Sequence, residues 1–311
     1  MQLETMTTKK KIFADKIVKL NGGLGNQMFQ YAFAYSLAKQ LNINVSLDLS
    51  WFEAVKTHKN VTPRLFELDV FNIEYEAASK EDLERVIYSN NNTKFQKLLW
   101  KVFKVKKYKP LKNTLLQRKA HNFDGKLLTS KDYFYYDGYF QNEEYFKNIR
   151  NDILNCFSLK DSIDEKNQSV LNEIIKTNSV SIHIRRGDYV ALKCANKFHG
   201  ICSIQYYEKA IKYIAKHVEN PHFFLFSDDI EWVVKNLKID YPHTFVDFNQ
   251  NKGWLDMNLM KHCKHNIVAN SSFSWWGAWL NENNSKIIIS PKKWTKKKIK
   301  GNIVPGNWIK I

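Results

Sequence analysis

The sequence predicts an α/β protein of two domains, each built on a parallel, doubly wound sheet. Residues 15–50 read as strand, glycine turn, helix and strand, which is the start of a βαβ unit. From residue 179 onward, short apolar strands alternate with amphipathic helices, as in a doubly wound sheet. With 311 residues, 44% of them hydrophobic, the chain has room for two domains of roughly 150 residues each.

The elements of the first half are predicted from the spacing of apolar residues. A strand covers residues 16–20, a helix residues 27–41 and a second strand residues 43–48. Residues 75–130 are charged and poorly periodic, and a further helix is expected over residues 142–157.

The second half carries the more regular pattern, with helices expected over residues 204–217 and 254–263. Five short apolar strands are predicted to alternate with helices, over residues 180–184, 222–226, 244–248, 266–269 and 286–289. The polar stretch around residue 165 is the expected domain boundary, and two α/β domains joined there would enclose a cleft.

The chain is strongly basic, with 48 Lys and Arg against 31 Asp and Glu and a formal net charge of +17. This balance favours a polyanionic partner, which could be nucleic acid, an anionic membrane surface or a phosphorylated substrate. The lysine-rich stretches 101–112 and 292–300 are candidates for membrane or acceptor contact, with a solvated surface as the alternative.

The cysteines and the N-terminus favour a reducing compartment. Four cysteines without a C-x-x-C pair fit neither a disulfide framework nor a structural zinc site. The crowded cluster of His262, Cys263 and His265 is expected to be structural. The polar, lysine-bearing N-terminus lacks an apolar signal region, so a cytoplasmic, soluble or peripherally bound protein is expected.

Charged and polar residues follow three predicted strands of the second half. Arg185 and Arg186 follow one strand, Asp228 another, and Ser271 and Ser272 a third. Because the carboxyl ends of parallel strands meet at one edge, these residues are expected to converge. Two arginines, a carboxylate and a hydroxyl-rich helix start suit a nucleotide.

The two arginines are expected to have different roles. Strand alternation puts His183 and Arg185 on one side and Arg186 on the other. A planar guanidinium suits bidentate binding of phosphate oxygens, and an ion pair with Asp188 is the structural alternative.

The helix that follows Ser271 and Ser272 has two expected features. The serines would cap it and leave backbone N–H groups for an anion, or they would serve as a cap only. Trp275, Trp276 and Trp279 are expected to be core residues rather than ligand platforms.

The glycine turn GGLG at residues 22–25 matches a dinucleotide fingerprint only in part. Met28 stands where the third glycine should be, although Asp48 ends the next strand near the place of a ribose-binding acid. The chain has neither a G-x-x-x-x-G-K-[ST] loop nor an Asp-x-Asp pair. Arginine and helix dipoles are therefore expected to neutralise a bound diphosphate, without a metal.

The strings GGLGNQMFQYAFA, HIRRGDY and ANSSFSWWGAWL, in this order, resemble the bacterial α-1,2-fucosyltransferases of glycosyltransferase family 11. The likeness runs from about residue 16 to the C-terminus and is weakest over residues 75–130. It implies a GT-B-type α/β fold, two Rossmann-like domains facing a central cleft. Residues 1–165 would form the acceptor-side domain and residues 166–311 the GDP-fucose-binding domain, with the tail from about residue 293 a candidate to pack back on the first domain.

The resemblance also implies an activity. It is the inverting, metal-independent transfer of L-fucose from GDP-β-L-fucose to the 2-OH of a galactose, in O-antigen or capsule, without a cofactor. The implied partners are GDP-fucose and a galactose-containing oligosaccharide or lipid-linked acceptor, with no nucleic acid. The implied location is the cytoplasm, with contact at the anionic inner membrane left open. Another GDP-sugar or linkage, a nucleic-acid-binding protein and an NAD-dependent oxidoreductase are the alternatives.

Site residues follow from the motifs of the family. Arg185 would hold the donor's β-phosphate, His183 would lie by the nucleoside and Asp228 would bind guanine. Ser271 and Ser272 would hold the diphosphate from the helix start.

The glycine turn would contribute from the other domain. Asn26, with Gly23 and Gly25, would approach the same diphosphate, and Asn26 joins Arg185 as a candidate catalytic residue. Arg186 and Asp188 would support their loop.

The base that activates the acceptor is left open by the sequence. Inversion needs a carboxylate or histidine at the attacking hydroxyl. His58, Glu53, Asp137 and, as a weak candidate, Asp188 are possible, and so is an oxocarbenium-like step that needs little help from a base.

Overall fold

The architecture rests on two parallel sheets. A computed structural model describes residues 14–55, 63–88, 113–187, 200–296 and 300–311. Within these residues, neighbouring strands of each sheet run parallel. The expected GT-B-type α/β architecture is thereby confirmed in its two parallel sheets.

The first sheet lies in the N-terminal half, by which we mean residues 14–164. Its five strands are β1 (Lys16–Lys19), β2 (Val45–Asp48), β3 (Glu76–Ala77), β4 (Thr114–Leu116) and β5 (Tyr135–Asp137), in the spatial order β3-β2-β1-β5-β4. The α-helices described in this half are α1 (Leu24–Leu41), α2 (Ser50–Ala54), α3 (Lys80–Tyr88) and α4 (Arg150–Cys156).

The second sheet lies in the C-terminal half, residues 165–311. Its six strands are β6 (Asn178–Ile184), β7 (Pro221–Ser227), β8 (His243–Val246), β9 (His265–Ile267), β10 (Ile288–Ser290) and β11 (Ile309–Lys310), in the order β11-β10-β9-β6-β7-β8. Its described α-helices are α5 (Glu165–Lys176), α6 (Ile204–His217), α7 (Ile230–Asn236), α8 (Gly253–His262) and α9 (Ser272–Trp279).

The predicted elements of the C-terminal half are confirmed, with ends that differ by at most two residues. The predicted domain boundary near residue 165 falls at the start of α5 and stays a prediction. The predicted helix over residues 142–157 is wrong in its first part, where 3₁₀ turns cover Glu143–Tyr145 and Lys147–Ile149 before α4 begins.

The aromatic side chains in these turns explain the break. Tyr145 and Phe146 are adjacent in sequence and both fully buried. Tyr145 packs edge-on against Phe33 at 5.2 Å, whereas Phe146 stacks on Trp276 at 5.3 Å between ring centroids. Phe146 lies between the two turns with φ −144° and ψ 1°, outside the helical region, so a regular helix does not run through this position.

Helix α9 joins the two halves, because it packs on α1 although it follows a strand of the second sheet. Trp275 and Trp276 are fully buried, and the ring of Phe29 lies 4.5 Å and 5.0 Å from theirs. Burial of one tryptophan removes on the order of 200 Å² from water, worth about 5 kcal/mol of transfer free energy. The prediction that these tryptophans, with Trp279, are core residues is confirmed.

The start of α9 touches the start of α1 through the backbone. Trp276 donates its indole N–H to the carbonyl oxygen of Gly25 at 3.0 Å. A Cβ added at Gly25 would lie 2.5 Å from the carbonyl carbon of Ser272. No residue larger than glycine therefore fits at this crossing without displacement.

The C-terminal tail also contacts the N-terminal half. Asn302 donates its backbone N–H to the carbonyl oxygen of His121 at 3.1 Å, and Asn142 Nδ2 donates to the carbonyl oxygen of Asn302 at 3.1 Å. Trp275 donates its indole N–H to the carbonyl oxygen of Ile303 at 2.8 Å. The tail then returns to the second sheet as β11.

A buried polar network links α5 to α8. Asn167 and Asn249 exchange side-chain hydrogen bonds at 2.9 Å and 2.8 Å, and Asn249 also donates to Asp256 at 2.8 Å. Burial raises the pKa of the Asp256 carboxyl to about 7, and the hydrogen bond from Asn249 opposes that shift. Asp256 therefore carries its proton more readily in the folded protein than in the unfolded chain.

Gly25→Ala tests the backbone crossing of α1 and α9. The new methyl group would meet backbone atoms, which cannot rotate away, so the helices must separate. We expect the free energy of unfolding to fall by about 1–3 kcal/mol, the usual cost of overpacking a core. Urea unfolding followed by tryptophan fluorescence measures it. Gly306→Ala is the matched control, since a Cβ there meets no atom within 4 Å; equal midpoints for the two variants would contradict the crossing.

Asp256→Asn tests the half-buried carboxyl. Its pKa is raised from 3.8 to about 7 on folding, so the folded state holds the extra proton and stability falls as pH rises from about 4 to 7. The asparagine keeps the shape and removes the charge. At pH 8 we expect it to be more stable than wild type by about 2–4 kcal/mol, and at pH 4 nearly equal.

Thermal unfolding at both pH values measures this difference. Asp240→Asn, at a carboxylate that is 73% exposed, controls for the loss of one surface charge. The same pH slope in wild type and in Asp256→Asn would show that Asp256 does not carry this dependence.

Candidate functional site

The carboxyl edges of the two sheets meet where α1 and α9 begin. Each helix follows the carboxyl end of a strand, β1 or β9, and their first turns touch. Asn26 Oδ1 accepts hydrogen bonds from Ser272 Oγ at 2.9 Å and from Gln141 Nε2 at 2.8 Å. Two residues predicted from separate motifs, Asn26 and Ser272, are thus in direct contact across the halves.

Two buried glutamines on α1 hold the loops around this point, and the first is Gln27. Its Nε2 donates to the carbonyl oxygens of Gly22 at 2.9 Å and Leu65 at 2.8 Å. Its Oε1 accepts the backbone N–H of Glu67 at 3.0 Å. Gln27 therefore ties the glycine turn to the loop at residues 64–67.

The second buried glutamine, Gln30, ties the glycine turn to the segment after β5. Its Oε1 accepts the backbone N–H of Asn21 at 2.9 Å, and its Nε2 donates to the carbonyl oxygen of Gly138 at 3.0 Å. Neither glutamine was predicted as a site residue. The signal in the sequence was their spacing, two glutamines three positions apart within an otherwise apolar helix.

The glycines of the turn differ in what surrounds them. Gly25 is required by the contact with α9. Gly23 is the N-cap of α1, and the nearest atom to a Cβ built there is Arg64 Nε at 3.9 Å. The carboxylate of Glu67 accepts the N–H of Leu24; burial raises the pKa of Glu67, and the charge of Arg64 and this hydrogen bond oppose the shift. Arg64 and Glu67 are charged groups at the turn that the sequence did not indicate.

Arg185 and Asp228, predicted to bind phosphate and guanine, are paired with each other in this structure. Arg185 Nη1 lies 2.6 Å from Asp228 Oδ2, and the backbone N–H of Arg186 donates to Asp228 Oδ1 at 2.8 Å. A Cβ at Gly187 would lie 2.5 Å from the same carboxylate. Both oxygens of Asp228 are engaged, and the ion pair is only about one-quarter exposed.

Arg186 has a different environment, as strand alternation predicts. Its Nε donates to Asp229 Oδ2 at 3.0 Å, and its guanidinium lies 3.5 Å from the ring centroid of Trp232 in α7. Asp188, predicted to support this loop or to act as a weak base, lies outside the described residues, as does His58.

His183 is buried beside the helix start, with its ring centroid 5.2 Å from that of Phe273. Burial lowers its pKa to about 4; the negative charge of Asp228 opposes that shift and Arg185 adds to it. The ring is therefore neutral at pH 7. Among the described residues its Nδ1 makes no hydrogen bond. A buried polar atom without a hydrogen bond costs about 1–3 kcal/mol of stability. A ligand that bonded this nitrogen would recover that cost.

The start of α9 is a favourable place for an anion. Ser271 is the N-cap, its Oγ accepting the N–H of Phe273 at 3.3 Å, and the first turn carries no acidic residue. Asn270 holds the loop before it by donating to the carbonyl oxygens of Gly200 at 3.2 Å and Trp294 at 3.1 Å. No carboxylate of the helix's own first turn therefore neutralises the positive end of its dipole.

Asp48 does not fit a ribose-binding acid. It is 3% exposed, and both carboxylate oxygens accept hydrogen bonds, from the backbone of Ser50 at 2.9 Å and the hydroxyl of Tyr135 at 2.5 Å. The carboxylate is thus used within the first sheet, which removes one of the two features, with the glycine turn, on which the dinucleotide alternative depended.

The cluster around Cys263 has structural partners, as predicted. His262 Nδ1 is bonded to the carbonyl oxygen of Asn258 at 2.6 Å, and His265 Nδ1 accepts the N–H of Ile287 at 3.0 Å. No group of three or more His, Cys, Asp or Glu side chains in the described residues could hold a metal ion.

No described helix is long and apolar enough to span a membrane. The lysine-rich stretch 101–112 and residues 297–299 lie outside the described part, so membrane contact stays a prediction.

Comparison with known proteins identifies a family across the chain. The family model for glycosyl transferase family 11 matches residues 2–311. The O-antigen biosynthesis glycosyltransferase WbnK of Escherichia coli is 37% identical, over 94% of this chain and 99% of its own. An alpha-1,2-colitosyltransferase of Escherichia coli is 34% identical, over 95% of this chain and 98% of its own. The crystal structure of the α-1,6-fucosyltransferase NodZ soaked with GDP-fucose aligns with 86% of this chain and 93% of its own, at 15% identity and a TM-score of 0.48. Because the family model matches from residue 2 to residue 311, the chain belongs to glycosyl transferase family 11 and is a glycosyltransferase.

Proposed function

We propose that the protein transfers L-fucose from GDP-β-L-fucose to the 2-OH of a galactose in a surface glycan, with inversion and without a metal. The observation that carries the proposal is the contact of Ser272 Oγ with Asn26 Oδ1 at 2.9 Å. It sets the start of α9 beside the glycine turn, on the same sheet edge as Arg185.

The diphosphate of the donor binds between Arg185 and the start of α9. As the bond from C1 of the sugar to the diphosphate breaks, negative charge builds on the leaving GDP. A guanidinium and backbone N–H groups that are already in place stabilise this charge more than they stabilise the ground state. Asn26 approaches the same group from the glycine turn.

Donor binding exchanges the partners of the Arg185–Asp228 ion pair. The guanidinium of Arg185 binds the β-phosphate, and Asp228 accepts hydrogen bonds from the N–H groups of guanine. Neutral His183 lies by the nucleoside, where its unbonded Nδ1 finds a partner. Each charged group thus leaves one partner only when it gains another, which avoids a bare ion in a partly buried site.

The acceptor is a galactose-containing oligosaccharide or a lipid-linked glycan of the O-antigen type. The similarity to the O-antigen glycosyltransferase WbnK supports this class of acceptor. Residues near the glycine turn in the N-terminal half receive it.

Colitose transfer is the second candidate, because one similar protein is an alpha-1,2-colitosyltransferase at 34% identity. Colitose is fucose without the 3-hydroxyl, so the two donors share the same diphosphate chemistry. Residues that contact the sugar, rather than those that contact GDP, decide between them.

A transfer assay tests the activity and its donor. The protein is incubated with GDP-L-fucose or GDP-colitose and with lactose or N-acetyllactosamine, each with and without EDTA. We expect an α-1,2-linked fucosyl product, identified by mass spectrometry and NMR, in equal yield with EDTA. Absence of transfer to any galactoside would contradict the function, loss with EDTA would contradict metal independence, and preference for GDP-colitose would select the second candidate.

Arg185→Ala tests the phosphate role. Removal of the guanidinium takes away charge stabilisation of the leaving GDP, so we expect kcat/KM for the donor to fall by about 10²–10³. Lys238→Ala, at a side chain that is 88% exposed, controls for the loss of one cation and keeps wild-type rates. Steady-state kinetics with varied donor measure both, and an Arg185→Ala rate within threefold of wild type would refute the role.

A further inference from the structure

The carboxyl edge of the first sheet ends in a row of charged side chains. The last residues of β2, β1 and β5, which are neighbours in the sheet, are Asp48, Lys19 and Asp137. Lys19 pairs in register with Asp48, and the pairing of Ile17 with Tyr135 sets Asp137 level with Lys19. All three side chains therefore lie on one face of the sheet.

That face is opposite to the one on which α1 packs. Helix α1 contacts the sheet through Phe33, whose ring lies 5.6 Å from that of Tyr136. Tyr136 precedes Asp137 in β5, so the two side chains point to opposite faces. The charged row is thus on the side away from α1, at the edge that adjoins the glycine turn.

The two carboxylates of the row differ in whether an oxygen is left that can accept a further hydrogen bond. Asp48 is buried and accepts on both oxygens, from Ser50 and Tyr135. Asp137 is 31% exposed and bonds through Oδ2 to Lys19 Nζ at 3.1 Å. Within the described residues its Oδ1 makes no hydrogen bond, so Asp137 is the carboxylate of the row that can accept one from a ligand.

The segment that begins at Asp137 is hydrogen-bonded to helix α1, close to the start of α9. Gln30 donates to the carbonyl oxygen of Gly138 at 3.0 Å, and Gln141 donates to Asn26 Oδ1 at 2.8 Å. Asn26 in turn contacts Ser272. The segment from Gly138 to Gln141, which begins one residue after Asp137, is therefore bonded to α1 at Gln30 and at Asn26, and Asn26 contacts the start of α9.

An exposed tyrosine, Tyr139, follows Asp137 closely in the sequence. Tyr139 lies two residues after Asp137 and is 41% exposed. Desolvation of its hydroxyl raises its pKa, and the negative charge of Asp137 adds to that shift. A carboxylate that accepts from sugar hydroxyls and an aromatic ring that covers the apolar face of a pyranose together suit a monosaccharide.

We propose that Asp137 binds the attacking hydroxyl of the acceptor sugar and takes its proton, and that Lys19 holds this carboxylate in place. The proposal rests on the glycosyl transfer proposed above and names the base that the sequence left open. Asp137 acts as a catalytic residue and Lys19 as a positioning residue.

The atoms of the step balance. The acceptor oxygen forms a bond to C1 of the donor sugar as the bond from C1 to the β-phosphate oxygen breaks, and that electron pair leaves with GDP. The hydroxyl proton passes to Asp137, which becomes neutral and later releases the proton to water. Nothing is oxidised or reduced, and no further reactant is needed.

Titratable groups face Asp137 from its own strand and from the neighbouring strands. Lys19 faces it from β1, Tyr135 and Tyr139 lie two residues before and after it, and Asp48 lies across β1. A general base accepts a proton only in its ionised form, so the proposed role predicts a rate that falls on the acid side of the pH profile.

Asp137→Asn and Asp137→Glu test the base. For Asp137→Asn we expect kcat to fall by about 10²–10⁴ and the acid limb of the pH profile to vanish, with the Kd of GDP within twofold of wild type by calorimetry. Asp137→Glu keeps the charge but displaces it, so it retains the acid limb with a kcat lowered at least about tenfold. Asp240→Asn, at an exposed carboxylate, is the matched control and keeps wild-type rates.

Lys19→Met tests the positioning role. It keeps much of the bulk of the side chain and removes the cation that holds Asp137 Oδ2, so we expect kcat to fall by about tenfold while the Kd of GDP stays within about twofold of wild type. Lys19→Arg keeps a cation and is expected to restore most of kcat. A wild-type kcat in Lys19→Met would overturn the role of Lys19.

The results separate this inference from the function on which it rests. A wild-type protein that neither binds GDP nor transfers sugar contradicts the proposed function. A wild-type protein that transfers fucose, while Asp137→Asn keeps kcat within threefold, overturns the base. A slow Asp137→Asn variant that keeps the wild-type pH profile also overturns it, because a purely structural loss lowers the rate without removing the limb.

Discussion

The backbone contact between Gly25 and the start of α9 is the constraint on which the rest of the structure depends. It brings together two helix starts that follow strands of different sheets, and the indole of Trp276 holds them there. Side-chain contacts can shift by rotation, whereas a contact between backbones moves only if the helices move. The two sheet edges are thus brought together at one point, and Asn26 and Ser272 meet beside it.

Polar side chains inside the core position the loops that surround this point. Gln27 and Gln30 are fully buried, yet each bonds main-chain groups of distant loops. A buried amide costs free energy unless all its hydrogen bonds are made, so the conformations of the loops that one glutamine joins depend on each other. Stability and site geometry therefore depend on the same side chains, because loss of one such bond leaves the other groups unpaired.

The sequence predicted elements whose pattern is local and missed contacts that depend on distant partners. The strands from β6 to β10 lie in short segments rich in apolar residues, and α1 is a long, largely apolar run that opens after a glycine turn. By contrast, two-residue strands such as β11 show no period. The turns at Tyr145 and Phe146 depend on which part of the core each ring meets. In the site, Asn26 and Ser272 were predicted together from their motifs, whereas the pairing of Arg185 with Asp228 depends on how two strands align.

The Arg185–Asp228 ion pair bears on which molecules the site admits. Arg185 and Asp228 are bonded to each other, so a ligand that separates them without loss must compensate both charges. Under the donor roles proposed above, inorganic phosphate would satisfy the arginine and leave the aspartate without its cation, and guanosine would do the reverse. A molecule that carries a diphosphate and a guanine at the correct separation would satisfy both. Selection would then depend on two distant groups of one ligand at once, so we expect fragments of the donor to compete poorly even where the whole donor is scarce.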